Sequence, residues 1–525
     1  MTPEPDRTGL RRGFGVIVVA AFTCMALAAA EFGARIVDGY RLTAFRLEIA
    51  GDRARRADAH ARSASQKWDG EADALPYVRT MPVAIGVDRE WFASPTPERH
   101  AAQPDPALVA RMKKYQGGVD ERANYEWNWQ QVVGAVCRGE DPSSSGILNQ
   151  FEDVFVFDPT DGSKEPPFRY LPNAVYTSGL TTNAFGWRGP DVSLNKPSGT
   201  VRVVFVGAST TGGPHGEPYA YPELVGLWLK RWATANHPGI SVEVINAARD
   251  GVHSQSLTAI LRQELLPMEP DLVYYDYDGA NQFWPGDFVM TEVKPRSAAG
   301  ELKQTGFTSY SAVGRRLQSA VRKATEPGSE PPKPPLDVRW PTDLDERDPN
   351  IADPRLPVQL PQLLSDVEAA RSEVAREGGA LVLTSIPWLV YPGMVLDPDR
   401  DASVLSLLNT SYWPFTYAHM RRYLDFRARV FRKYAAVHGL DFVDTATLFP
   451  LDRRLFTDVI HVTRAGIHLQ AWIVFNGLVP IIERRLALHE WPRPARHHLV
   501  SHPAIGQPRL VPMTDVRAAC GGTAH

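Results

Sequence analysis

From Val201 onward, short apolar and β-branched runs alternate with amphipathic helical stretches, and this alternation restricts the fold more than any other feature of the chain. "VRVVFV" precedes a helical pattern near Tyr221 to Ala235, "SVEVINA" one near Ser254 to Leu265, and "DLVYYDY" a long irregular segment. A helical run near Leu360 to Glu377, "ALVLTSI", a helix from about Thr416 to Val437, "DFVDTA" and a last helix from Thr463 to about Leu486 complete the series. Strands separated by helices need right-handed crossovers, which make them parallel and cover both faces of their sheet. The pattern predicts an α/β chain, a three-layer α/β/α sandwich around a five-stranded parallel sheet.

This domain is expected over 191–490, with an insertion at 283–357. The insertion contains "EPGSEPPKPPLDVRWP", too proline-rich for a sheet or a continuous helix. It reads either as a cover over the strand tips or as a surface loop. Ahead of the domain, 76–190 mixes aromatic, Pro and Gly residues with runs such as "DVFVFDP", predicting a small β-rich accessory region. Residues 34–75 read as a juxtamembrane helical stalk, and 491–525 as a plain C-terminal tail.

The first 33 residues read as a cytosolic tail and signal-anchor. "GFGVIVVAAFTCMALAAA", Gly13 to Ala30, is uncharged and about as long as a bilayer-crossing helix, with Arg7, Arg11 and Arg12 before it. By the positive-inside tendency those arginines stay cytosolic and the rest of the chain is exported. A single-pass protein of the cytoplasmic membrane with a periplasmic domain is expected. The alternative is secretion after cleavage at "ALAAAE". Cys24 lies in the membrane run, so Cys137 and Cys520 are the exported cysteines, either bridged or two separate thiols. A net charge of −3 provides no basic field, so nucleic acid is not expected as a partner.

The first strand of the domain runs into "GASTTGG", placing Ser209 at its tip, where open α/β sheets bind ligands. Gly207 and Gly212 match the glycines of a phosphate-binding loop, but Gly213 and Pro214 stand where its Lys and Ser/Thr belong, and Thr211 replaces the second glycine of a G-x-S-x-G elbow. Far downstream, "LFTDVIHVTRAG" sets Asp458 three residues before His461, ahead of a helix capped by Thr463. A tight turn brings such a carboxylate and imidazole together, so that Asp458 orients His461 and His461 takes the proton of Ser209. "INAARDGVHSQS" places Gly251, and "DLVYYDYDGANQF" Asn281, in the loops after the next two strands. An amide at each, with that of Ser209, would form an oxyanion hole. An ordinary turn accounts for each loop alone.

These segments resemble the SGNH hydrolases, also called GDSL esterases and lipases, whose four blocks carry Ser, Gly, Asn and His in that order. The likeness runs from about Thr181 to Leu486, and "TTNAFGWRGP" is similar to a lead-in of membrane-anchored bacterial members. It implies a flavodoxin-like sheet, Ser209 as nucleophile, His461 as base, Asp458 as its partner and an oxyanion hole of Ser209, Gly251 and Asn281, with no cofactor or metal. The family's block acids are replaced by Ala208 and Gln282. The implied function is a serine esterase acting on an ester-bearing small molecule or acetylated glycan of the envelope, foremost a deacetylase. O-acyl transfer to a glycan by the same triad, and a binding protein that has kept only the fold, remain the alternatives. The oligomeric state is left open.

Overall fold

The structure is a computed structural model; it describes residues 7–37, 42–43, 72–94, 106–115, 121–140, 142–176, 179–213, 219–282, 288–290, 336–391 and 417–520, with short pieces within 310–321 and at 394 and 404. The chain divides into two compact units: 1–69 with 293–334 and 396–409, and 70–292 with 335–395 and 410–525.

In the first unit, helix α1, Arg7–Val37, runs without a break through the expected apolar segment. A stretch of it, Val18–Val37, is long and apolar enough to cross a membrane and only 11% buried. At its C-terminal end the Glu31 carboxylate accepts hydrogen bonds from the Ala312 and Val313 amides at 2.9 and 3.0 Å and the Ser311 hydroxyl at 2.7 Å. Arg35 donates to the Tyr310 carbonyl at 2.7 Å. Of the expected stalk, 38–41 and 44–71 lie outside the described residues.

The second unit begins with an accessory sheet of β1 (Tyr125–Asn128), β2 (Asp153–Phe157) and β3 (Phe168–Tyr170). The α/β core follows. It contains β4 (Thr200–Gly207), the short helix α2 (Ser209–Gly212), α3 (Tyr221–Asn236), β5 (Ser241–Asn246), α4 (Ser254–Ile260) and β6 (Leu272–Asp276). A hairpin of β7 (Phe288–Met290) and β8 (Leu336–Val338) interrupts it before α5 (Leu360–Arg376), β9 (Ala380–Thr384), α6 (Tyr417–Val437), β10 (Asp441–Val443) and α7 (Arg464–Ala487). Of the expected insertion, that hairpin, the pieces within 310–321 and 339–357 are described; whether it covers the strand tips falls outside them.

The five predicted strands form one parallel sheet in the order β10-β9-β6-β4-β5. β4 and β6 are buried along their whole length, which is why their sequences are continuously apolar rather than alternating. Helices α3 and α7 pack together on one face, α4 and α5 on the other. α3 buries Leu224, Val225, Trp228, Leu229 and Trp232, the one-sided spacing of an amphipathic helix. α7 is long and apolar enough to cross a membrane, yet 83% of that stretch is buried; it is a core helix.

The segment after Pro492 is not a plain tail. It returns to the accessory region as β11 (Arg509–Pro512), which pairs with β2, and α8 (Met513–Cys520), whose Cys520 is bonded to Cys137 with the two Cα atoms 5.2 Å apart. His502, from the "RHHLVSH" stretch, is 7% exposed and bonded to the Glu264 carbonyl at 2.8 Å. A four-residue strand whose partner lies over three hundred positions upstream leaves no local periodicity to read.

Candidate active site

Ser209 lies where β4 leaves the sheet and α2 begins. The turn is held open by Gly207, at which a Cβ would meet Thr211 Oγ1 at 2.1 Å and the Asp276 carbonyl at 2.6 Å. It ends at Gly213, whose φ of +58° suits glycine. The Asp276 carboxylate, at the end of β6, accepts from Thr211 Oγ1 at 2.8 Å and the Tyr221 hydroxyl at 2.6 Å. Burial pushes its pKa up to about 6, against the pull of those two bonds. With Ala208 in the block-acid position, the turn thus takes its carboxylate from the neighbouring strand.

A second support comes from the lead-in. Arg188, 3% exposed, donates to the Gly212 carbonyl at 2.8 Å, to the Gly213 carbonyl, and to Glu223 on α3 at 2.8 Å. Its main-chain amide is bonded to the Asn246 carbonyl at 3.0 Å. It therefore fastens the serine turn to the second strand and to α3.

His461 and Asp458 share one tight turn closed by the Phe456–Val462 bridge. Asp458 Oδ1 accepts from the Ile460 and His461 amides at 2.8 and 2.7 Å, and Oδ2 lies 2.7 Å from His461 Nδ1. Burial alone would raise the Asp458 carboxyl; the hydrogen bond and charge of His461, with the two amides, hold it below its ordinary value. His461 Nε2 lies 2.9 Å from Ser209 Oγ. With Nδ1–H donating to Asp458, Nε2 is the nitrogen that accepts from the serine. Thr463 caps α7 by accepting from the Gly466 amide at 3.3 Å, fixing the turn to a buried helix.

Gly251 follows β5 with φ +63°, and open space lies where a side chain would point. Asn281 donates to the Val252 carbonyl at 2.9 Å, joining the two expected oxyanion loops and spending one N–H of its carboxamide. Gln282, in the second altered block position, accepts from the Ser254 amide at 3.4 Å. Of the predicted residues, Ser209, His461 and Asp458 are thus linked directly; Asn281 meets the Gly251 loop, and no hydrogen bond among the described residues ties that pair to Ser209.

Further residues that the sequence does not single out support the site. The Tyr170 hydroxyl, from the accessory sheet, accepts from the Asp250 amide at 3.1 Å. Arg249 donates to the Phe168 carbonyl at 3.0 Å and pairs with buried Glu264, which also holds Arg169 at 2.9 Å. Burial raises the Asp250 carboxyl to about 6, opposed by the charges of His461 and Arg188. Arg188 stood in the quoted "TTNAFGWRGP"; Tyr170 and Asp250 had no local signal. Trp388, which follows β9 in "SIPWLVYP", is 2% exposed and donates to Asp278 at 3.3 Å, so its ring is packed in the core.

No family model matches the chain, and no curated protein matches it. Among solved structures it is similar to an acetylxylan esterase from Geobacillus stearothermophilus, at 16% identity over 53% of this chain and 94% of that one, TM-score 0.29. A putative lipolytic protein of the G-D-S-L family from Desulfitobacterium hafniense gives 12% identity over 53% and 99%, TM-score 0.28. A GDSL-like lipase from Bacteroides thetaiotaomicron gives 13% over 54% and 88%, TM-score 0.27. In this chain Ser209 follows β4, Gly251 follows β5, Asn281 follows β6 and His461 precedes α7.

Proposed function

We propose that the chain is an exported, membrane-anchored serine esterase that acts on carboxylic esters, foremost acetyl, of an envelope or exported glycan. The observation that carries this reading is the Asp458–His461–Ser209 relay, with contacts of 2.7 and 2.9 Å at the tip of the first core strand. Ser209 Oγ attacks the ester carbonyl while His461 Nε2 takes its proton and then delivers it to the leaving alcohol; Asp458 keeps the ring in the right tautomer and stabilises its cation. The amides of Ser209 and Gly251 and the free N–H of Asn281 receive the oxyanion.

Two features support export. The Cys137–Cys520 bond suits an oxidising compartment. α1 continues through the alternative cleavage point, and its Glu31 and Arg35 are engaged by 310–313, in keeping with a retained anchor. Acetylated polysaccharides are esters found on that side of the membrane, and no aliphatic run after Val201 need line a lipase groove, the apolar run of α7 being 83% buried. The test is a chain-length series of p-nitrophenyl esters beside acetate release from an O-acetylated glycan. Preference for acetyl with acetate release is expected. A kcat/KM that climbs from acetyl to palmitoyl, with no acetate released, contradicts the substrate assignment.

A further inference from the structure

Beside Ser209 and His461 lies a recess whose walls include Ile386, Ile460, Val462 and Ile467. Besides Ser209, His461 and Tyr221, whose hydroxyl is held by Asp276, two polar side chains interrupt this apolar lining. The Thr210 hydroxyl is buried with no hydrogen-bond partner among the described residues. Gln470, only 3% exposed in the second turn of α7, lines the same recess, and its side chain forms no hydrogen bond among the described residues. Buried polar groups are almost always paired, and an unpaired one costs stability, so the Thr210 hydroxyl in this recess calls for an occupant that hydrogen-bonds, with Gln470 beside it as a second partner.

We propose that Thr210 and Gln470 hold the water molecule that hydrolyses the acyl-enzyme, so that the second half of the reaction ends on water rather than on a sugar hydroxyl. The inference rests on the esterase reading above and extends it. A buried water makes about three hydrogen bonds. The Thr210 hydroxyl and the Gln470 carboxamide supply two, and His461 Nε2, which also borders the recess, supplies the third once Ser209 Oγ is esterified. A sugar hydroxyl would bring a ring with several more hydroxyls, for which the isoleucine walls offer no partners. In the step itself, the water oxygen forms a bond to the acyl carbon as its proton passes to His461 Nε2. The bond from that carbon to Ser209 Oγ then breaks, the proton returns from His461 to the serine, and the free acid departs. Thr210 and Gln470 act as positioning residues, since neither takes the proton.

The experiment uses the full chain with p-nitrophenyl acetate in stopped flow, with and without methanol as a competing nucleophile. Thr210→Val and Gln470→Leu are each expected to slow deacylation about tenfold, the loss expected for one well-placed hydrogen bond. A burst of p-nitrophenolate approaching one per chain then precedes a slower steady state, and the ratio of methyl acetate to acetate rises by about the same factor. Thr210→Ser, which restores the hydroxyl, returns both toward the parent. Gln470→Met replaces Gln470→Leu if the latter misfolds. A fall in acylation and deacylation together, or a product ratio that does not change, would show that the two side chains serve packing or the acyl group, and overturns the water assignment alone. If Ser209→Ala releases p-nitrophenolate as fast as the parent, the esterase reading falls as well.

Discussion

Replacing Arg188 removes the strut between the lead-in, the serine turn and α3. Its side chain is 1% exposed and that of Glu223 is 9%, so Arg188→Met takes the guanidinium from a nearly buried carboxylate and a donor from two carbonyls of the turn. Breaking a buried ion pair from one side costs about 3–5 kcal/mol. Over a unit of about 400 residues, with an unfolding entropy of about 2 cal/mol/K per residue, that lowers Tm by roughly 4–6 °C. Ser209 leads directly into the carbonyls that Arg188 holds, and a displacement of about 1 Å in a reacting group costs about 10²-fold in rate. Thermal melts of the parent, Arg188→Met and Arg188→Met/Glu223→Gln, with acetyl-ester kcat for each, separate the two effects. Glu223→Gln removes the stranded charge, so the double variant recovers most of the Tm but not the kcat. A single variant that melts within about 1 °C of the parent and keeps full kcat refutes the strut.

Asn281→Ala is expected to lower kcat by about 10²- to 10³-fold with little change in KM, since its free N–H serves the transition state; an effect confined to KM places it in substrate binding. Asp250→Asn removes a negative charge that interacts with His461, so the acid limb of the kcat/KM profile moves to lower pH; an unmoved limb separates the two groups. Asp276 has a raised carboxyl, so its contribution favours the folded chain below the ordinary carboxylate value and is lost as pH rises toward about 6. Accordingly, the Tm of Asp276→Asn relative to the parent becomes more favourable between pH 4 and pH 8, by up to about 3 kcal/mol in stability; a pH-independent difference contradicts the shift. A reporter fused near Gly70 is expected to read extracytoplasmic, with α1 retained in the mass of the membrane-bound protein, and a cytosolic signal overturns the orientation.

What could be read from the sequence is what is local. β4 and β6 are buried on both faces, so their apolar runs identify them without reference to any partner. Asp458 and His461 are three residues apart, and one turn brings them together. The supports of the site are different in kind. Tyr170 reaches Asp250 from a separate sheet, Asp276 reaches the serine turn from a neighbouring strand, and β11 closes the accessory sheet from the far end of the chain. Each depends on pairing distant segments, and side-chain periodicity carries no record of such pairs. The same limit explains Trp388: an aromatic residue after a strand has the same local signature whether it faces a ligand or, as here, the buried Asp278–Arg427 pair.

Covalent labelling reads the proposed nucleophile, Ser209, and its activation by His461. The intact chain is treated with a fluorophosphonate and its mass recorded, beside folded Ser209→Ala and His461→Ala variants. One adduct per chain is predicted, located by peptide mapping at Ser209, absent from Ser209→Ala and slowed by at least about 10²-fold in His461→Ala, where the general base is gone. An unlabelled parent, or labelling and ester turnover that persist at the parental rate in Ser209→Ala, would contradict the account.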